Sequence, residues 1–179
     1  MPELQPPEPP SAQVSEPNGN QTPPQLAEVL QRDHSEWVTE TINALGETTV
    51  IVPREHLVAA CEFLKATPGF DFNMLADLCG FDRGPEEEPR FEVNYHLFST
   101  RHYHRLRLKV LLNEEDARVP TVTGVWRTAN WHERETYDLF GVIFDGHPDL
   151  RRILLPEDWQ GHALRKDFPL RGYEPYSLT

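Results

Sequence analysis

Two neighbouring segments of this chain alternate apolar and polar residues with the period of two that a half-buried β-strand requires. A turn around residues 99–102 separates them, so together they predict an antiparallel hairpin with one face in a core. The other face carries a basic row, which is expected to be solvated or to meet an acidic partner. The apolar positions are Phe91, Val93, Tyr95 and Leu97, then Leu106, Leu108, Val110 and Leu112; the basic row is Arg105, Arg107 and Lys109.

Segments before the hairpin show the apolar spacing of helices. We predict a first helix from Gln25 to Leu45, closed by Gly46, and then a β-branched strand over residues 48–52. Two more helices are predicted before the hairpin. Pro53 is expected to begin one of them, and Asp71 to cap the other, which ends at Gly80.

A further helix is predicted after the hairpin, where Asn130 and Glu133 have the spacing of a capping box. This helix runs to Phe140 and stops at Gly141, and residues 142–144 are long enough for one edge strand only. Arg134 and Asp138 are four positions apart and are expected to pair across one turn. These elements predict an α+β fold with a small mixed or antiparallel sheet, helices packed on one face, and an extended irregular C-terminal arm.

The two ends of the chain differ in composition from the middle. Residues 1–24 contain eight prolines among polar residues and predict a disordered tail. An α+β domain is predicted over residues 25–144. Glycine and proline interrupt residues 145–179 too often for a long regular element, although large apolar residues are spread along them. Because such a long irregular segment is rare inside a compact domain, we predict an arm that docks on a partner protein, and an arm wrapped on its own domain is the alternative.

Composition and motifs exclude several function classes. A net charge of −12 argues against nucleic acid as a partner. Two cysteines, Cys61 and Cys79, cannot hold a four-cysteine iron–sulfur cluster. No apolar run approaches the ~20 residues of a membrane helix, so no membrane span is expected. The sequence has no G-x-G-x-x-G or phosphate-binding loop, and we expect no catalytic, cofactor-binding or metal site.

Histidines and carboxylates suggest two weaker alternatives. Residues 132–136 resemble a zinc-binding H-E-x-x-H helix, but Thr136 replaces the second histidine. A metallohydrolase that uses His132, Glu133 and Asp138 therefore stays open as a less favoured hypothesis. His96, His102 and His104 lie near the hairpin turn, where we expect them to be exposed and without a thiolate or carboxylate that would complete a metal site.

The last third of the chain carries a family likeness. Residues 133–141 (ERETYDLFG) and 144–154 (FDGHPDLRRIL) resemble the signature of the C-type subunit of proton-translocating NADH–quinone oxidoreductase, which is the 30 kDa subunit of respiratory complex I. The segments PEDW at 156–159 and LRKDFP at 164–169 extend the likeness, and Tyr95-His96-Leu97 adds to it upstream. The proline-rich residues 1–24 depart from the family pattern.

The resemblance implies a non-catalytic structural subunit of the peripheral arm of that complex, at the cytoplasmic face of the cell membrane. It implies that the arm packs on the neighbouring D-type subunit, and that FMN and iron–sulfur centres in other subunits carry electrons from NADH to quinone, coupled to proton translocation. A related membrane-bound hydrogenase stays open. The expected docking residues are Glu133, Arg134, Glu135, Asp138, His147, Arg151, Arg152, Trp159, Arg165, Lys166 and Phe168.

Overall fold

A computed structural model describes residues 22–172 of the chain. The predicted tail up to residue 21 and the last residues of the arm, 173–179, lie outside the described residues. The helices are α1 (Pro23–Asp33), α2 (Leu57–Ala66) and α3 (Ala129–Phe140), and short 3-10 turns cover Ser35–Trp37, Arg54–His56 and Glu114–Asp116. The strands are β1 (Glu40–Ala44), β2 (Glu47–Ile51), β3 (Met74–Asp82), β4 (Phe91–Phe98), β5 (Arg105–Leu112), β6 (Arg118–Pro120) and β7 (Ile143–Asp145).

Five strands form the main sheet in the order β1-β2-β5-β4-β3. The predicted hairpin of β4 and β5 is confirmed, with Tyr95 opposite Leu108 and His96 opposite Arg107. β2 runs parallel to β5 and the other pairs are antiparallel, so the sheet is mixed, as predicted. β6 and β7 make a separate two-stranded parallel sheet.

The inner face of the hairpin lies in a continuous apolar core. Its eight predicted apolar positions are all 2% exposed or less, because strand alternation turns every second side chain to the same side. α1 contributes Leu26 and Leu30 to this core, and α2 contributes Leu57, Cys61 and Leu64. The predicted α+β class is confirmed. No helix within residues 22–172 has the length and hydropathy to cross a membrane.

The predicted first helix is wrong in its second half. α1 ends at Asp33, and Glu40–Ala44 is a strand that pairs with β2. Leu45 and Gly46 connect the two strands with positive φ values of 53° and 78°, the conformation of a tight hairpin turn. Leu45 is fully exposed, so its apolar spacing with α1 was a coincidence rather than a buried helix face.

The predicted helix from Asp71 to Gly80 is also wrong, because this segment is the edge strand β3. A bulge between Leu75 and Asp77 shifts the register against β4. The extra residue turns Leu75 and Leu78 to the same face although they are three positions apart, and both are buried. A bulged strand thus reproduced the spacing of a helix.

α3 packs against β3 at a position without a side chain. A Cβ atom built on Gly80 would lie 2.7 Å from Cδ2 of Phe140 and 2.8 Å from Cγ2 of Thr136. The predicted capping box at the start of α3 is wrong, since Thr128 holds the N-cap position, without a capping side-chain hydrogen bond, and Asn130 lies inside the helix. Glu133 instead accepts hydrogen bonds from the backbone N–H of Val122 and the hydroxyl of Thr121.

Candidate functional site

The junction between α3 and the arm is organised around the carboxylate of Asp138, which is completely buried. Its Oδ2 accepts three backbone N–H groups, from Ile153 at 3.0 Å, Leu154 at 2.8 Å and Leu155 at 2.9 Å. Its Oδ1 accepts a hydrogen bond from Arg152 at 2.7 Å. Burial opposes ionisation, but these four donors outweigh it and hold the pKa of Asp138 below its usual value. The junction therefore contains a stable buried carboxylate.

Arginine side chains connect successive turns of the arm. Arg152 also donates to the carbonyls of Trp159 and Gly161, at 3.1 and 2.9 Å, so one guanidinium joins α3 to two points of the arm. The predicted pair between Arg134 and Asp138 is wrong. Arg134 donates to the carbonyls of residues 151 and 152 and lies over the ring of Trp131. Both arginines bind arm backbone, which gives this irregular segment a defined path.

The arm also binds the free carbonyl groups at the end of α3. The last carbonyls of a helix have no partners within the helix. Here the carbonyl of Asp138 contacts Nδ1 of His162 at 2.9 Å, that of Leu139 accepts from Leu164 N–H at 3.0 Å, and that of Phe140 accepts from Arg165 Nε at 2.7 Å. The arm therefore caps the helix on which it packs.

A second buried ion cluster holds the arm to the loop between β3 and β4. Arg90 is 1% exposed, and it donates to both oxygens of Asp82 and to Asp167 and Glu114. These carboxylates raise the pKa of Arg90 above its ordinary value. The backbone N–H of Lys166 donates to Asp82 at 2.7 Å. Sequence reasoning missed this cluster, because bonded partners are separated by up to 84 residues and no local spacing connects them.

The predicted docking residues have different surroundings. Glu133 and Asp138 are fully buried and Arg134 is nearly so, and their polar groups bind within the chain. His147, Arg152, Trp159, Arg165 and Phe168 are half-buried, and the remaining exposed members are Glu135, Arg151 and Lys166. Trp159 and Phe168 stack with ring centroids 6.1 Å apart. The structure brings most of the set to the junction of α3 and the arm, and the docking role stays a prediction.

Several large apolar side chains of the arm and of α3 point to solvent. Leu154 is 59% exposed, Leu164 is 53% exposed and Leu170 is fully exposed. Trp131 on α3 is 62% exposed. We call these four residues the apolar surface of the arm. The described part of the arm thus binds its own domain through many polar and backbone groups, and it leaves Leu154, Leu164 and Leu170 largely uncovered.

The residues of the hydrolase hypothesis do not share a site. Glu133 contacts the segment 121–122, and Asp138 is surrounded by donors of the arm. Nδ1 of His132 faces Oδ1 of Asp77 on β3, 3.5 Å away. Because the two carboxylates are buried and bonded elsewhere, the geometry does not support joint coordination of a catalytic metal by these three side chains.

The hairpin histidines are not the exposed turn residues that we predicted. His104 is 8% exposed and lies 2.9 Å from the carbonyl of Phe70, and Nε2 of His102 lies 2.7 Å from the Asp71 carboxylate. His147 has the local role expected in a turn. Its Nδ1 accepts from the backbone N–H of Asp149, and its Nε2 lies 3.2 Å from the carbonyl of Asn130.

Comparisons with known proteins agree with the likeness in the sequence. The family model of the 30 kDa subunit of respiratory-chain NADH dehydrogenase matches residues 50–174. The chain is 56% identical over 131 residues to the second C-type subunit of the NADH-quinone oxidoreductase of Rhizobium meliloti, which is 73% of this chain and 71% of the relative. It is 46% identical over 149 residues to the C-type subunit of the same enzyme in Geotalea uraniireducens, which is 82% of this chain and 89% of the relative.

A solved structure extends the similarity to the fold. A trypsin-resistant fragment of Nqo5 superposes with a TM-score of 0.61 at 39% identity, over 70% of this chain and 99% of the fragment. This chain belongs to the family of the 30 kDa subunit of respiratory-chain NADH dehydrogenase.

Proposed function

We propose that the chain is a structural and assembly subunit of the peripheral arm of NADH–quinone oxidoreductase and takes no direct part in the chemistry. In this proposal, FMN and iron–sulfur clusters in other subunits carry electrons from NADH to quinone, coupled to proton translocation. Two cysteines in the whole sequence are too few for a four-cysteine cluster, which supports this division of roles. The complex would hold the chain as a peripheral subunit at the cytoplasmic face of the membrane.

The apolar surface of the arm is the observation that carries the proposal. Burial of one large apolar side chain contributes roughly 1.5–3 kcal/mol, so large apolar side chains left in solvent can stabilise contact with a partner. Here Leu154, Leu164 and Trp131 are more than half exposed beside a rigidly held backbone. We propose that this surface is covered by the homologue of the D-type subunit.

The buried charges of the junction have a different role in this proposal. Asp138 and Arg152 bind each other and the arm backbone, so they are unavailable for direct ion pairs with a partner. They shape the arm before it docks, and such preorganisation lowers the entropy lost on association. In this proposal the exposed charges of Glu135, Arg151 and Lys166 would contact the partner at the edge of the interface, where such charges select the partner more than they add affinity.

Co-purification with the homologue of the D-type subunit tests the proposal. The double variant Leu154→Ser, Leu164→Ser should weaken the association by about 100-fold or more, since it removes ~3 kcal/mol of apolar contact. The control is Leu45→Ser, because Leu45 is also an apolar side chain and is even more exposed, but lies in the β1–β2 turn. Equal retention of the partner by the double variant and the control, with both variants folded, would refute the docking surface.

A further inference from the structure

A group of possible metal ligands lies on the outer face of the sheet, outside the junction described above. Asp77 and Cys79 are two positions apart on β3, and both are exposed. His96 on β4 is the cross-strand partner of Asp77. One carboxylate oxygen of Asp77, Sγ of Cys79 and one imidazole nitrogen of His96 all lie within 4.8 Å of one another.

The register of the sheet brings these three side chains together. The bulge after Leu75 sets Asp77 opposite His96 while Leu75 and Leu78 stay in the core. Alternation then turns Cys79 to the same outer face as Asp77. In the predicted helix, Asp77 and Cys79 would have pointed to different sides, which is why the sequence alone suggested no metal site here.

α3 places a histidine beside the cluster. The close approach of α3 to Gly80 brings His132 next to β3, with its Nδ1 3.5 Å from Oδ1 of Asp77. The imidazole is 29% exposed, so it is partly enclosed between helix and strand. His132 thus contacts the carboxylate of Asp77 and lies outside the group of three ligand atoms.

Basic side chains next to the cluster are paired with carboxylates. On the neighbouring strand, Arg107 pairs with Glu47, and Lys109 pairs with Glu92 at 2.7 Å. Partners on the sheet itself therefore offset part of the positive charge beside the three ligand atoms.

We propose that Asp77, Cys79 and His96 bind one Zn²⁺ ion, and that His132 orients the Asp77 carboxylate from beside the site. Zinc takes mixed sulfur, nitrogen and oxygen ligands in tetrahedral geometry, with bonds of about 2.0–2.3 Å. The three protein ligands leave the fourth position to water, and the ion would fasten β3 to β4 on the outer face of the sheet.

Metal titration of the purified full chain tests the site without any partner protein, so its outcome is independent of the docking proposal. The chain is stripped with EDTA, kept reduced and titrated with Zn²⁺ against a chromophoric chelator. One equivalent is expected to bind. Co²⁺ in place of Zn²⁺ should give a near-ultraviolet thiolate-to-metal charge-transfer band, which reports a sulfur ligand directly.

Ligand variants identify the residues. Replacement of an outer partner of a metal ligand commonly costs about 10- to 100-fold in affinity, so Cys79→Ser should weaken Zn²⁺ binding by about 100-fold or more and abolish the cobalt band. His96→Asn should have a similar effect on affinity, and His132→Asn a smaller one. His56→Asn and Asp158→Asn are the matched controls, because they remove the same donor types elsewhere, and both should bind as the unsubstituted chain does.

Thiol protection gives a second measurement. Cys61 is completely buried, and that burial raises its pKa, so alkylation of the folded chain should report Cys79. One equivalent of Zn²⁺ should slow alkylation of Cys79 by at least tenfold. Three results would each overturn the proposal: unchanged alkylation, equal Zn²⁺ affinity of the unsubstituted chain and Cys79→Ser, or a cobalt spectrum without the thiolate band. Circular dichroism verifies that the variants are folded.

Discussion

The buried carboxyl group of Glu133 should make the stability of this protein depend on pH near neutrality. Glu133 has no exposed surface, and burial raises its pKa from 4.5 to about 7 despite the hydrogen bonds from Thr121 and Val122. Glu133 interacts electrostatically with Tyr95 and Cys61, and Nε2 of His147 lies 4.0 Å from its Oε2. Burial raises the pKa values of Tyr95 and Cys61, so both stay neutral over the same range.

The sign of the effect follows from proton linkage. The folded state holds a proton on Glu133 that the unfolded state releases, so this contribution to stability is complete below about pH 4.5 and is lost as pH rises through about 7. A shift of one pKa unit corresponds to 1.36 kcal/mol, so the full loss amounts to about 3 kcal/mol. Between about pH 5 and about pH 8.5 the loss is roughly 2.5 kcal/mol.

Urea unfolding of Glu133→Gln and of the unsubstituted chain across this pH range measures the effect. Glutamine keeps the shape and can accept from Val122 N–H while donating to the Thr121 hydroxyl, but it does not titrate. As pH rises from about 5 to about 8.5, the free energy of unfolding of the variant should increase by about 2.5 kcal/mol relative to that of the unsubstituted chain. A difference between the two unfolding free energies that is constant with pH would refute the assignment to Glu133.

Two further predictions concern packing at α3. Asp138→Ala should cost about 3–5 kcal/mol in unfolding free energy and make the segment after residue 151 sensitive to limited proteolysis, because it leaves the Arg152 guanidinium and three N–H groups without their acceptor. Equal stability and protease resistance would contradict that anchoring role. Gly80→Ala should lower the free energy of unfolding by ~1–3 kcal/mol, because the added Cβ pushes α3 from β3. The control Gly124→Ala, whose Cβ meets nothing within 4 Å, should lower it by less than ~1 kcal/mol. Equal thermal stability of the two variants would contradict the close packing at Gly80.

Local sequence patterns correctly predicted the elements whose apolar residues fit only one type of secondary structure. The β4–β5 hairpin was found because eight apolar residues alternate without interruption, and α2 because Pro53 introduces a helical apolar face. The patterns failed where a helix and a bulged strand give the same spacing of apolar residues. Leu75 and Leu78 satisfy helix spacing, but a bulge in a strand produces the same separation, and only pairing with β4 distinguishes the two.

The arm shows a second limit of sequence reasoning. Its glycines, prolines and scattered apolar residues correctly indicated that it has no long helix or strand within residues 146–172. They could not show that its polar atoms bind α3 and the Asp82–Arg90 cluster while Leu154 and Leu164 stay exposed. That arrangement depends on backbone groups brought together across the fold, and such groups leave no trace in composition.

The sequence by itself determined the family, the α+β class and the hairpin with one face in the core. These depend on the order of neighbouring residues and on periodicities of two and 3.6 residues. The tertiary structure decided which charges are buried, how Asp138 and Asp82 hold the arm, and that Asp77, Cys79 and His96 meet on one face. The physical reason is that burial, pKa shifts and metal geometry depend on distances between groups from different elements. Those distances exist only after the sheet register and the position of α3 are set.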